Sequence, residues 1–401
     1  MYSRLKSYLV CMIILSVSAG VLSGAENKTA VKGDFPPADK LPEIKELPDP
    51  FLMKSGKRVK TLEDWKKRRE EIKAMLLHYQ FGSMPPPPGN VTAEITSKSK
   101  HRMEVKLTMG PEKKLEMGVR IWFAKGKGPF PVIVRPKHYS GGRPSESSKR
   151  GYMEARYDNC ALEPDPQNRE DVAGPAQAAY PEHDWATIAV WAWGGMRVID
   201  YLMTLEEVDR EKIIVTGHSR GGATALLIGA LDERVALTAP NAGACGGAAC
   251  YRFVRKGFQG HRGIHRYGAL NWFHARRLQF KGKISRLPFD GHFHKALVAP
   301  RALFMTNGFN DKNSDALAVQ HTSLAAKVVF EWLGAGNRIG WWFRPGGHAQ
   351  GKEDWAAMLD YADWVFFGKK PESSRQFDKL PFPDEKPPFS WKAPERIESE
   401  K

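Results

Sequence analysis

The stretch Ile213-Ile214-Val215-Thr216-Gly217-His218-Ser219-Arg220-Gly221-Gly222 decides how the chain is read. A β-branched apolar run suits a buried parallel strand, and Ala223 to Leu231 suits a helix packed on that strand. Between them lies Gly-x-Ser-x-Gly, the pattern of a strand reversing sharply into a helix. The serine occupies the strained apex and glycine avoids a Cβ clash where the chain passes itself. Such a turn lifts Ser219 out of the sheet as a candidate nucleophile.

Reading outward, Val235–Ala239, Ala302–Thr306 and Ile339–Phe343 are expected strands, and His321–Leu333 and Glu353–Phe367 expected helices. Their alternation at crossover spacing predicts a parallel sheet with helices on both faces. Upstream, two-residue alternation between Val91 and Arg135 predicts an antiparallel start to that sheet. Thr61 with Asp64 opens a helix that carries Leu62, Trp65, Ile72, Met75, Leu76 and Tyr79 at helical spacing. A helix is expected over Trp185–Leu202, whose tryptophans read as core. Residues 137–183 and 241–288, rich in Gly and Pro, read as irregular insertions. The domain plan is a leader over 1–25, an extended arm over 26–60, one catalytic domain over 61–370 and a tail over 371–401.

The leader is read from Arg4 and Lys6, an apolar run from Tyr8 to Val21, and the small residues Ser23, Gly24 and Ala25. That layout predicts a secreted or periplasmic protein starting near Glu26, with no membrane association. The formal net charge of +16 favours an acidic partner. Zinc-ligand spacing, helix-turn-helix patterns and RNA-binding aromatics are absent from the sequence, so a nucleic acid is not expected. An anionic polysaccharide suits an exported protein better. Of the 4 cysteines, Cys160, Cys245 and Cys250 lie beyond the leader, which permits one disulfide of unspecified pairing.

An activated serine needs a base and an orienting acid, which in this architecture follow it as Asp or Glu and then His, on loops after later strands. Among the 12 histidines, His348 in Arg344-Pro345-Gly346-Gly347-His348 stands in the required place. The preceding strand is followed by Asn310-Asp311-Lys312-Asn313-Ser314-Asp315. Asp311 is the better acid by its nearness to the strand end, and Asp315 the second candidate.

Taken with Gly243-Ala244-Cys245-Gly246-Gly247, Leu287-Pro288-Phe289-Asp290-Gly291-His292 and Ala299-Pro300-Arg301, these motifs resemble the successive signatures of the glucuronoyl esterases, carbohydrate esterase family fifteen. The likeness runs from about Asp49 to Gly368. It implies a secreted, cofactor-free and metal-free serine hydrolase of the α/β-hydrolase fold, a three-layer sandwich around a mostly parallel sheet. Its members cleave the ester between 4-O-methyl-glucuronate on xylan and an alcohol. The resemblance makes Ser219 the nucleophile, His348 the base and Arg220 the oxyanion stabiliser, a role in which a fixed charge outdoes a neutral amide.

The chain also departs from the family pattern. Ala242 stands where many members carry a catalytic glutamate, Ala223 where a sugar-binding lysine is usual, and Lys312 near an expected tryptophan. The departures suggest a bacterial member with an altered sugar pocket, in which Asp311 serves as the acid. A loop carrying Arg252, Arg255, Lys256, His261, Arg262, His265 and Arg266 is expected to give the cleft positive potential, with Lys312, Arg262 and Arg266 meeting an acidic oligosaccharide. The expectation is thus a monomeric esterase acting on uronic acid esters of plant or algal polysaccharide. Alternatives are an acetyl xylan esterase using the same residues, or a polysaccharide-binding relative that has lost catalysis.

Overall fold

The computed structural model describes residues 34–136, 146–166, 173–258, 264, 272–371 and 376–397. Among the described residues nine strands form one sheet: β1 (Thr92–Lys98), β2 (Arg102–Met109), β3 (Leu115–Trp122), β4 (Phe130–Pro136), β5 (Met153–Tyr157), β6 (Val208–His218), β7 (Val235–Asn241), β8 (Ala302–Gly308) and β9 (Ile339–Arg344). Their spatial order is β1-β2-β3-β5-β4-β6-β7-β8-β9. The pairs from β1 to β5 are antiparallel, and those from β5 through β4 to β9 are parallel. This is the α/β-hydrolase arrangement: an antiparallel start, then a parallel sheet.

Six helices of eight residues or more appear among the described residues: α1 (Leu62–Leu76), α2 (Thr187–Leu202), α3 (Arg220–Leu231), α4 (Gly291–Val298), α5 (Ala316–Trp332) and α6 (Lys352–Phe367). The continuous apolar run of β6 is explained by the two apolar layers it separates. Ile213 and Val215 face one core with α2, α3, α4 and α5, while Ile214 faces the other, built on α6. A strand covered on both faces has no polar side to alternate with. At the start of α1, Thr61 accepts from the Asp64 backbone N–H and the Asp64 carboxylate accepts from that of Thr61, closing a capping box.

Two elements correct the sequence reading. The segment expected to be irregular over 137–183 contains β5, buried along its whole length and set between β3 and β4. Its Glu154 and Arg156 disguise it as surface. Arg156 donates to Glu154 at 2.5 Å, Ser147 donates to the same carboxylate at 3.3 Å, and the Arg156 guanidinium lies over Trp122. Paired charges satisfy a strand that composition alone marks as polar. Helix α4 was likewise not expected; Asp290 caps it by accepting from the Gly291 N–H.

The arm from residue 34 onward lies on the body. The Ile44 N–H donates to the Ser285 carbonyl, and Leu47, Phe51 and Val59 are buried. The tail covers the outer edge of the sheet, with the Trp341 N–H donating to the Phe377 carbonyl, and Trp391 Nε1 donates to the Leu47 carbonyl. Cys160, Cys245 and Cys250 are free thiols, the last two donating to the Cys250 and Phe253 carbonyls. The expected leader, residues 1–25, lies outside the described residues.

Candidate active site

Ser219 sits between β6 and α3 with φ +58 and ψ −124. This is a conformation that L-residues avoid and that the surrounding turn must hold in place. The Ser219 N–H donates to the Asn241 carbonyl at 3.0 Å, tying the apex to the end of β7. Two glycines make the turn possible. A Cβ on Gly217 would stand 2.3 Å from the Gly221 carbonyl oxygen, and one on Gly222 would stand 2.5 Å from the Asn241 carbonyl oxygen. Gly221, although part of the sequence pattern, would bring a Cβ only to 3.3 Å from Pro136 Cγ. Gly217→Ala and Gly222→Ala are therefore expected to destabilise the fold by more than about 2 kcal/mol, and Gly221→Ala by less than about 1 kcal/mol. Urea midpoints of the three variants rank them directly, and equal losses would refute this account of the turn.

His348 and Asp311 meet at the carboxyl ends of β9 and β8. His348 Nδ1 lies 2.8 Å from Asp311 Oδ2, and Asp311 is fully buried. Its other oxygen accepts from the Asn313 N–H at 2.8 Å and the Ser314 N–H at 3.0 Å, so the carboxylate cannot swing away. A carboxylate on Nδ1 places the proton there and leaves Nε2 as the basic nitrogen. The loops meet because Gly308 has no side chain: a Cβ there would stand 2.5 Å and 2.6 Å from the Gly347 and Gly346 carbonyl oxygens. The Phe309 N–H to the Arg344 carbonyl and the Asn310 N–H to the Gly346 carbonyl complete the junction.

Arg344, whose role the sequence did not disclose, staples the histidine loop from within. Its Nε pairs with buried Asp354 at 2.6 Å, and its other nitrogens donate to the carbonyls of Pro345, Gly347 and Ala349.

His218, the residue before the serine, packs its ring 4.4 Å from that of His348. Asn241 Nδ2 donates to Thr306 Oγ1 at 2.7 Å, so its Oδ1 accepts from His218 Nδ1 at 2.5 Å. Burial first, and then the neighbouring His348, hold the His218 pKa below its ordinary value against the opposing pull of Asn241. His348 is thus flanked by an imidazole biased toward neutrality.

Asp315, the second candidate acid, is occupied elsewhere. It accepts from the Arg255 N–H at 2.8 Å, from Arg255 Nε at 2.8 Å and Nη2 at 2.6 Å, and caps α5 through the Leu317 N–H. Arg255 is one of the loop residues expected to charge the cleft, and Arg252 is another. Arg252 is held by Asp290 at 2.9 Å and donates to backbone carbonyls around it. That expectation is corrected for both, since their charge is spent on internal carboxylates. Lys312 is exposed, with Nζ 4.3 Å from the centroid of Phe258. Arg262 and Arg266 lie outside the described residues.

Arg220 opens α3 directly after the serine, at the positive end of the helix dipole. Its guanidinium pairs with Asp165 at 3.0 Å and lies 4.8 Å from the centroid of Trp272, and Trp272 Nε1 donates to Asp165 at 2.9 Å. Sequence reasoning missed both partners. Asp165 lies in the segment read as irregular, and no periodicity signals a loop contact formed at a separation of 107 residues.

Ala242, at the position where the family pattern has a glutamate, follows β7 with φ +48 and donates its N–H to the Thr306 carbonyl. Among the described residues no cluster of three or more His, Cys, Asp or Glu could hold a metal ion.

A family model described as glucuronyl esterase of fungi matches residues 107–334. The chain is 31% identical over 333 residues to a 4-O-methyl-glucuronoyl methylesterase of Schizophyllum commune, covering 80% of this chain and 82% of that protein. It is 32% identical over 322 residues to another of that name from Cerrena unicolor, covering 76% of this chain but 65% of the relative, or less than two thirds of its length. Among solved structures, a family fifteen glucuronoyl esterase from Caldicellulosiruptor kristjansonii superposes with a TM-score of 0.78 at 28% identity, covering 89% of this chain and 99% of that one.

Proposed function

The chain belongs to the glucuronoyl esterase family, and on that premise we propose that it is a carboxylic ester hydrolase cleaving esters of uronic acids on polysaccharide. The observation that carries the reading is the 2.8 Å contact between His348 Nδ1 and buried Asp311, on loops brought to the end of the sheet where Ser219 stands. Ser219 Oγ attacks the ester carbonyl as His348 Nε2 takes its proton. Charge gathers on the carbonyl oxygen, and Arg220 with the N-terminus of α3 stabilises it. The tetrahedral centre collapses, the C–O bond to the alcohol breaks, and His348 returns the proton to the leaving oxygen. Water, deprotonated by His348, then attacks the acyl-enzyme and releases the uronic acid. Asp311 keeps the imidazole in the required tautomer throughout.

The substrate side follows from the departures already noted. Ala223 stands where the family pattern has a sugar-binding lysine and Lys312 near an expected tryptophan, so the sugar pocket is read as altered, while Ala242 in place of the catalytic glutamate leaves the acid role to Asp311. Lys312, Arg262 and Arg266 are the cations proposed to meet an acidic chain, with 61–370 as the catalytic body of a monomer. Export by the leader over 1–25 belongs to the same proposal; among the described residues no helix is long and apolar enough to cross a membrane.

Methyl 4-O-methyl-glucuronate and acetylated xylan separate the two esterase readings. Methanol release from the first, with kcat/KM at least about 100-fold above acetate release from the second, is expected, because an acyl pocket built for a uronate leaves acetate unanchored. The reverse preference would make the protein an acetyl esterase, and no turnover of either would leave a binding relative.

A further inference from the structure

We propose that Asp165 and Trp272 form a clamp that positions the Arg220 guanidinium for the developing oxyanion. The inference rests on the hydrolase reading above and concerns residues outside the Ser219-His348-Asp311 set. Each member of the clamp touches the other two. Arg220 Nη2 pairs with Asp165 Oδ2 at 3.0 Å, Trp272 Nε1 donates to Asp165 Oδ1 at 2.9 Å, and the Arg220 guanidinium lies over the indole ring at 4.8 Å.

The chemistry of Arg220 explains why a clamp is needed. An arginine at the first position of a helix has four rotatable side-chain bonds, and immobilising it costs rotamer entropy. If that cost fell at the moment of reaction, it would subtract from oxyanion stabilisation. A donor already aimed requires no reorganisation, and this is the main advantage of a preorganised site. One Asp165 oxygen takes the guanidinium and the other takes the indole, so the carboxylate cannot rotate without breaking a contact. The indole face meanwhile holds the guanidinium against its ring by a cation–π contact.

Asp165 is itself on a fixed segment. Two residues earlier, buried Glu163 accepts from the Gly174 N–H with both carboxylate oxygens at 3.1 Å, and its carbonyl accepts from Trp191 Nε1 on α2. The side chains of Arg220 and Asp165 are each 14% exposed, which separates the pair from ordinary surface ion pairs of negligible strength.

The test is the rate at which a neutral p-nitrophenyl phosphonate labels Ser219, because its phosphoryl oxygen takes the oxyanion position and no uronate is required. Asp165→Asn is expected to slow labelling by about 10- to 100-fold, a part of what losing an oxyanion donor costs. With Arg220→Met already in place, Asp165→Asn is expected to change the rate by less than about 2-fold, since nothing remains to position. Equal slowing in both backgrounds, or no slowing in either, overturns the clamp. Trp272→Phe keeps a ring but removes the N–H, and it supplies the same cycle if Asp165→Asn does not fold. A parent protein that resists the phosphonate would overturn the hydrolase reading and the clamp with it. Labelling without uronate turnover would overturn only the substrate.

Discussion

Ser219→Ala and His348→Ala are each expected to reduce kcat by about 10⁴-fold or more while the protein stays folded. The two side chains act as one unit: an alanine at 219 leaves nothing to attack the carbonyl, and an alanine at 348 leaves a hydroxyl with nothing to take its proton. The losses should not add, so the double variant is expected to be no slower than the worse single one by more than a few-fold. Neither change disturbs the core, because Ser219 and His348 are only partly buried. Ser219→Ala keeps the strained apex, and the turn's glycines and the tie to Asn241 are untouched. Turnover of methyl glucuronate, compared with the far-ultraviolet circular dichroism of the same samples, is the measurement. A rate within 10-fold of the parent in either variant would remove the serine hydrolase mechanism.

The second large effect separates two aspartates four residues apart. Asp311→Asn is expected to lower kcat by about 10³- to 10⁴-fold with little change in KM. An amide in that position can present an N–H to His348 Nδ1, and this reverses the tautomer and leaves Nε2 protonated. Asp315→Asn is expected to leave the rate per folded molecule within about 3-fold of the parent. It lowers stability instead, by about 1 to 3 kcal/mol, because it strips charge from the pair in which Arg255 Nε and Nη2 both donate to one carboxylate oxygen, and weakens the cap of α5. Active-site titration with the phosphonate corrects each rate for folded enzyme. The opposite ranking would move the orienting role to Asp315 and contradict the 2.8 Å contact on His348.

Much of this architecture was legible before any coordinate, because it depends on local chemistry. A run such as Ile213 to Thr216 ending in Gly-x-Ser-x-Gly can be little other than a buried strand turning into a helix, and β6 and α3 are there. Alternation in β2 and β3 read as antiparallel strands for the same reason, since each buries one face, whereas β4, at the end of the Val91–Arg135 stretch, is buried and pairs parallel with both β5 and β6. Chain order alone nominated Ser219, His348 and Asp311, because the parallel strands deliver their following loops to one end of the sheet. What stayed hidden lacked a local signature. Strand β5 was concealed by Glu154 and Arg156, which pair with each other and are completed by Ser147 and Trp122 only in the folded sheet.

The amino-acid sequence by itself thus determined the layers, the turn and the short set of residues able to do the chemistry, since periodicity and glycine spacing act over a few residues. Only the tertiary structure decided which carboxylate meets His348. Nearness to the strand end favours Asp311 in sequence, but Asp315 stays a candidate until Gly308 lets the β8 and β9 loops touch and Arg255 claims it. It also decided the fate of Arg252 and Arg255 in the basic loop, for a positive charge reads the same in sequence whether it faces a polyanion or, like Arg252, a buried Asp290. Likewise, no spacing rule joins Arg220 to Asp165 and Trp272. Their contact depends on where distant loops end after the sheet has formed, and such long-range closure is what local patterns do not encode.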